Sequence, residues 1–280
     1  MKIGIVGAGV MGAGIAQTIV PLCSQIVLID KNTVQLTKAK QIIRDEMRMQ
    51  KLLGKQSASQ KSVASILYTT SYNDLKDAEF IIENVTESFD TKKVVYHEIE
   101  KHCSSSCILI ANTSVISITK LGAELQDPTR FIGVHFMNPV SLKNTAELIC
   151  GIHTSKATRT QTCRLLDLMG KQYVEAADSP GFISNRVLMP MINEAVFLLQ
   201  ESVASAEDID TVFKQCFGHA MGPLETADLI GLDTVLFSIL ELYQSLNDGK
   251  YRPCTLLKRM VDAGLLGRKS GRGFYTYTIE

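Results

Sequence analysis

The chain has 280 residues, of which 45% are hydrophobic and 21% charged, so it is long enough for two domains and too apolar to be disordered. Lys+Arg and Asp+Glu number 29 each, and this zero net charge gives no basic field for nucleic acid or an anionic membrane surface. No run reaches the ~18 apolar residues of a membrane span. The strand-like start at Met1 reads as neither a signal peptide nor a transit peptide. The seven cysteines, with no CxxC among them, read as reduced thiols of a cytoplasmic protein and not as a disulfide frame or a metal site.

Residues 3–6 form a short β-rich run, and residues 26–29 form a second. Between them Gly7-Ala8-Gly9-Val10-Met11-Gly12 matches GxGxxG and opens a helical segment over 11–20, which together make a βαβ unit. In such a unit Gly7 permits the tight turn, Gly9 lets the backbone approach a pyrophosphate, and Gly12 lets the helix lie close to the strand. The helix start at Val10 and Met11 offers free N–H groups and a partial positive charge to phosphates. Asp30 ends the second run, where a carboxylate accepts hydrogen bonds from ribose hydroxyls and repels a 2′-phosphate; NAD is therefore the expected cofactor. A Gly-rich turn with a surface aspartate is the plain alternative.

A helical pattern covers 33–53, with Gly54 placed to end it. Strand candidates follow at 80–82, 108–110 and 131–135, separated by helical patterns such as 91–102. Strands alternating with helices predict a doubly wound, mostly parallel sheet. Asp178-Ser179-Pro180-Gly181 is strong turn punctuation, and beyond it the patterns at 187–201, 206–217, 232–246 and 256–263 are helical. The expected architecture is an α/β Rossmann-like domain over 1–180 and an all-α domain over 181–280.

His135 ends the apolar run at 131–135, and strand C-terminal ends are where doubly wound sheets bind ligands. Glu147 follows among apolar neighbours, where a carboxylate needs a partner. A His–Glu pair meets that need and makes the imidazole a proton acceptor for an alcohol while hydride leaves for nicotinamide. Taken alone, His135 is more often a satisfied core histidine, and spacing does not separate the two readings.

These residues resemble the L-3-hydroxyacyl-CoA dehydrogenase family over nearly the whole chain. The resemblance runs through the Gly-rich turn at 7–16, Ala111-Asn112-Thr113-Ser114, and His135-Phe136-Met137-Asn138-Pro139 with Glu147. It continues through 178–186, Met221-Gly222-Pro223 with Asp228, Gly231-Leu232-Asp233, and the closing stretch at 267–275. It implies that His135 is the catalytic histidine with Glu147 as its partner. It also implies that Ser114 and Asn185 hold the substrate's reacting oxygen, that Asn138 sits by the nicotinamide and substrate carbonyl, and that Glu87, Lys92 and Asn112 belong to the cofactor site. Without it, Ser114 reads equally as a helix cap, Asn185 as a turn residue, and Glu87 and Lys92 as solvated charges. A homodimer through the helical domain is a further implication.

Two departures bear on the thioester handle. Where the family often has a Ser and a Lys facing coenzyme A, ungapped counting finds Glu46 and Leu53, with Lys51 or Lys55 as possible substitutes. The stretch Ser141-Leu142-Lys143-Asn144-Thr145-Ala146 also departs from the usual pattern before the Glu. Acyl-CoA is the first expectation for the substrate, and an acyl group such as glyceryl on an acyl carrier protein of a polyketide pathway is the second. A hydroxyacid dehydrogenase of similar architecture, and a non-catalytic NAD-binding or structural protein of the same fold, are the competing functions.

Overall fold

The computed structural model of the chain describes residues 1–52 and 66–278, so Gly54, Leu53 and Lys55 lie outside the described residues. Two compact units divide it, Met1–Ser179 and Pro180–Glu280.

In the first unit the elements follow the alternation seen in the sequence: β1 (Lys2–Val6), α1 (Val10–Ile19), β2 (Gln25–Ile29), α2 (Thr33–Leu52), β3 (Ile66–Thr69), β4 (Phe80–Glu83), α3 (Phe89–His102), β5 (Ile108–Ala111), α4 (Ile118–Gly122), β6 (Phe131–Phe136), β7 (Thr145–Cys150), α5 (Lys156–Leu168) and β8 (Gln172–Ala177). They form one sheet in the order β3-β2-β1-β4-β5-β6-β7-β8. The first six strands run parallel, β7 turns back antiparallel to β6, and β8 runs parallel to β7. The order reverses between β1 and β4, and the crevice beyond the strand C-termini at such a reversal is where doubly wound sheets bind nucleotides.

Alternation along the central strands sorts their side chains to two faces. Ile3, Ile5, Ile26 and Leu28 meet Ile15, Ile19, Leu36, Ile43 and Leu165 of α1, α2 and α5 in one core cluster. On α3, Tyr96 packs edge-on against Phe131, with ring centroids 5.0 Å apart. Burial on both faces explains why β4, β5 and β6 are buried along their full lengths and read as unbroken apolar runs.

The turn from β1 into α1 depends on two glycines. Gly7 has φ 97°, a conformation that L side chains rarely adopt. A Cβ on Gly12 would stand 1.9 Å from the Gly7 carbonyl oxygen, so the helix can cross the turn only without a side chain there. Gly12→Ala is expected to lose about 1–3 kcal/mol of stability through forced backbone movement. Urea unfolding monitored by circular dichroism measures that loss, and it should be accompanied by weaker NAD binding.

The second unit is helical: α6 (Ser184–Gln200), α7 (Ala206–Phe217), α8 (Pro223–Ile230), α9 (Leu232–Leu246) and α10 (Thr255–Asp262). Met189, Ile192, Val196, Leu224, Val235, Ile239, Leu242 and Leu257 form its core. Asp228 accepts hydrogen bonds from the Phe274 and Tyr275 N–H groups and from the Tyr277 hydroxyl, which straps the closing stretch to α8. No single described helix is long and apolar enough to cross a membrane.

Candidate active site

The Gly-rich turn leaves a place for a pyrophosphate. A Cβ on Gly9 would meet nothing within 4 Å, so the space over the turn is open. Gly9 is the N-cap of α1 without a side-chain cap, and the first turn carries no acidic residue. The N–H groups of Val10, Met11 and Gly12 precede the first helical bond, made by Ala13 N–H to the Gly9 carbonyl at 2.9 Å, and they present a partial positive charge.

Asp30, just beyond β2, has one oxygen on the Ala8 N–H at 2.9 Å and the other on the Asn32 N–H at 2.9 Å. A carboxylate has about four acceptor positions, so acceptors remain for two ribose hydroxyls. These residues fit NAD. Gln35, which the sequence reading passed over, donates to the Ala8 carbonyl at 2.9 Å and holds the same turn from α2.

Asp30→Ala is expected to weaken NADH binding roughly 10- to 150-fold, the equivalent of losing about 1.5–3 kcal/mol of hydrogen bonding to a charged group. It should also reduce the preference for NADH over NADPH. Fluorescence titration with each dinucleotide gives both numbers.

His135 and Glu147 stand directly opposite each other across the antiparallel β6–β7 pair. The His135 Nδ1 lies 2.7 Å from a Glu147 carboxylate oxygen, and both side chains are buried. An ionised carboxylate only accepts, so this contact places the proton on Nδ1 and makes Nε2 the basic nitrogen. The pair sits at the C-terminal end of β6, the same sheet edge as the Gly-rich turn at the end of β1. The two are close in the fold, since a Cβ on Gly14 of α1 would lie 3.4 Å from Val140, five residues after His135.

Glu83, Lys92, Glu87 and Asn112 form a connected group behind this edge. Lys92 is fully buried; its Nζ donates to both Glu83 oxygens at 2.9 Å and to the Asn112 carbonyl at 3.1 Å. It also lies 3.5 Å from Glu87. Lys92 therefore serves as the counter-charge of a buried carboxylate. Burial raises the Glu83 carboxyl above its ordinary range, while Lys92 opposes the shift.

Asn112 is likewise committed to the protein. Its amide donates to the Asn84 side chain at 2.8 Å and accepts the Phe136 N–H at 3.2 Å, joining the ends of β4, β5 and β6. Glu87 accepts from the Thr113 hydroxyl at 2.5 Å, the Ser114 N–H at 2.7 Å and the Val115 N–H at 3.2 Å. In this way it fixes the loop that carries Ser114. Glu83 was missed in the sequence because it reads as the last residue of an apolar strand; its signal is the lone carboxylate in such a strand.

Asn138 is exposed in the loop after β6. That loop is held by Lys171, a second missed residue, whose buried Nζ donates to the carbonyls of Val140 and Lys143, the latter at 2.6 Å. Asp178 caps α4, accepting from Ser117 Oγ and from the Ile118 and Thr119 N–H groups. Asn185 belongs to the second unit, in the first turn of α6.

An open phosphate turn, a ribose-facing aspartate and a His–Glu pair at one edge of a doubly wound sheet define a nicotinamide-dependent dehydrogenase. The model of the 3-hydroxyacyl-CoA dehydrogenase NAD binding domain matches residues 2–179, and that of the family's C-terminal domain matches 181–277. The chain belongs to the 3-hydroxyacyl-CoA dehydrogenase family, and its cofactor is NAD. It is 42% identical to a 3-hydroxybutyryl-CoA dehydrogenase of Bradyrhizobium diazoefficiens over 278 residues, covering 99% of this chain and 95% of the relative. It is 41% identical to a probable 3-hydroxybutyryl-CoA dehydrogenase of Bacillus subtilis, with 99% and 97% covered. Among solved structures, (S)-3-hydroxybutyryl-CoA dehydrogenase from Ralstonia eutropha superposes with a TM-score of 0.93 at 41% identity, covering 99% of both chains.

Proposed function

We propose that this protein interconverts short 3-hydroxyacyl-CoA and 3-oxoacyl-CoA thioesters, with 3-hydroxybutyryl-CoA as the first substrate to test. The observation that carries the reading is the His135–Glu147 pair, set by strand register at the nucleotide edge of the sheet. NAD, when bound, supplies the hydride acceptor at its nicotinamide ring, and in the reverse direction the reduced form supplies the hydride. His135 Nε2 takes the proton of the 3-hydroxyl in oxidation and returns it in reduction. Glu147 holds the Nδ1 proton in place and stabilises the charged ring.

Ser114, on the loop fixed by Glu87, donates its hydroxyl to the 3-oxygen, and the part of Asn138 beside the nicotinamide and the substrate carbonyl rests on the family resemblance. The part of Asn185 in holding the 3-oxygen rests on the family resemblance. Relatives named for coenzyme A thioesters support coenzyme A as the handle. Glu46, exposed on α2, puts a carboxylate where the family often has a serine facing coenzyme A, and this is the ground for testing a carrier protein beside it.

The test is a nicotinamide absorbance assay with acetoacetyl-CoA and 3-hydroxybutyryl-CoA, run beside the same acyl groups and a glyceryl group on a phosphopantetheinylated carrier protein. Turnover of the coenzyme A thioesters supports the proposal. Turnover confined to the carrier protein overturns the choice of handle, and turnover of neither overturns the activity.

A homodimer through the second unit is part of the same proposal, supported by the exposed Val203, Val212 and Phe217 on and beside α7. Sedimentation velocity measures it. A cytoplasmic location belongs to the same reading, supported by seven cysteines with no CxxC among them.

A further inference from the structure

Like Lys92, Lys171 is a buried ammonium, 6% exposed, but the proton-transfer chemistry gives it no part. Its place is fixed by how α5 ends. Gly170 takes φ 67°, its N–H donates to the Asp167 carbonyl at 3.0 Å, and the Lys171 N–H donates to the Leu166 carbonyl at 2.9 Å. This left-handed stop ends the helix and turns the chain into β8. The next residue, Gln172, donates its N–H to the Asn144 carbonyl at 2.7 Å, so the start of β8 lies beside the end of the β6–β7 connection.

That connection, residues 137–144, is mostly surface. Asn138, Pro139, Leu142, Lys143 and Asn144 are exposed, and only Val140 is buried, in contact with α1 at Gly14. Inside the loop the Pro139 carbonyl accepts the Leu142 N–H at 3.1 Å and the Lys143 N–H at 3.0 Å. The carbonyls of Val140 and Lys143 accept from Lys171 Nζ, the latter at 2.6 Å.

A buried ammonium is costly, and burial draws Lys171 below the ordinary lysine range. A neutral side chain would fill the same space without that cost. What the ammonium adds is a pair of charge-assisted hydrogen bonds to a loop with little burial of its own. Both acceptors are main-chain oxygens, so the grip does not depend on which side chains the loop carries.

We propose that Lys171 is a positioning residue for substrate binding: its ammonium keeps the 137–144 loop in the arrangement that takes the acyl thioester. The inference rests on the function proposed above, in which Asn138 of this loop stands beside the substrate carbonyl. It separates binding from chemistry. His135 and Glu147 are registered by the β6–β7 ladder, which lies outside the loop. A loop released from Lys171 is in the binding arrangement for only a fraction of the time, and the apparent affinity for substrate falls by that fraction. Once substrate is held, the proton-transfer pair is unchanged.

Full-length Lys171→Met and Lys171→Gln are compared with the wild type, using acetoacetyl-CoA and NADH. Lys171→Met removes both bonds and is expected to raise KM for acetoacetyl-CoA roughly 10- to 100-fold, with kcat and the NADH Kd little changed. Lys171→Gln keeps a neutral donor of shorter reach and is expected to fall between; should Lys171→Met not fold, it carries the same comparison. Hydrogen exchange of the ligand-free protein, followed by mass spectrometry, is expected to quicken over residues 137–145 in the variants and to stay the same over the Gly-rich turn. An unchanged KM, a loss that falls on kcat instead, or unchanged exchange over 137–145 overturns the proposal. A wild type that turns over no acyl thioester counts against the function proposed above, and the exchange measurement still tests the hold of Lys171 on the loop by itself.

Discussion

Replacing His135 with Gln lowers kcat in the 3-hydroxybutyryl-CoA assay by roughly 10²- to 10⁴-fold, the usual contribution of a positioned acid–base group. Glutamine approximates the size of the ring and still hydrogen-bonds Glu147, but it has no basic nitrogen to accept the 3-hydroxyl proton. NADH binding should change little, because the Gly-rich turn and Asp30 belong to β1, α1 and β2, and His135 to β6. Glu147→Gln should lose less than His135→Gln in kcat. An amide can donate to Nδ1, which favours the tautomer with its proton on the wrong nitrogen, yet the ring itself remains. Stopped-flow kinetics and NADH fluorescence separate chemistry from binding. Surviving turnover in His135→Gln would remove the proton-transfer assignment.

Lys92→Met is the second large effect, and it falls on stability. The Lys92 and Glu83 side chains are both 0% exposed and 2.9 Å apart. Removing the cation leaves a buried carboxylate with one backbone donor, the Val85 N–H, and no charge partner among the contacts described above. Breaking a buried pair in this way costs about 3–5 kcal/mol. Part of that cost is relieved by protonating Glu83, so the loss should be largest at high pH and shrink as the pH falls. Since burial already raises the Glu83 carboxyl and the variant lacks the lysine that opposes the shift, the relief sets in at higher pH than an ordinary carboxylate would show. The double variant Lys92→Met with Glu83→Leu should recover much of the loss, since an apolar replacement of a buried pair is often near neutral. Urea unfolding of the single and double variants across pH measures all three effects.

β1, β2, β4, β5 and β6 were legible in the sequence because they are buried almost throughout and read as continuous apolar runs, whereas β3, at the sheet edge and only partly buried, was not read. The βαβ glycines then gave the nucleotide edge. β7 was not read as a strand, although Glu147 was singled out within it: a buried carboxylate interrupts the apolar run, and only its pairing with His135 explains it. β8 was missed for a different reason. As an edge strand it is largely exposed, so QYVEAA shows no apolar face to read. α8 is short and begins at Pro223, where the turn signal of Gly222-Pro223 masks the helix that follows.

Lys92 shows the limit most plainly. A lysine on a helix reads as solvated or ligand-facing. Its partner, nine residues earlier on a strand, becomes visible only when α3 is laid against the sheet. The helical half was easier, because helices such as 206–217 and 232–246 bury one face and keep the 3.6-residue period.

The reversal of the chain at β7 has a consequence for divergence within this fold. The proton-transfer pair is set by a cross-strand ladder, which a change in the length of the connecting loop does not alter. With Asn138 kept, the rest of 139–144 can therefore lengthen, shorten or change polarity to suit a different acyl group while the imidazole and its carboxylate keep their registration. Chemistry and substrate choice are mechanically uncoupled at this hairpin, so exchanging its loop between relatives is the natural first move in redesigning selectivity.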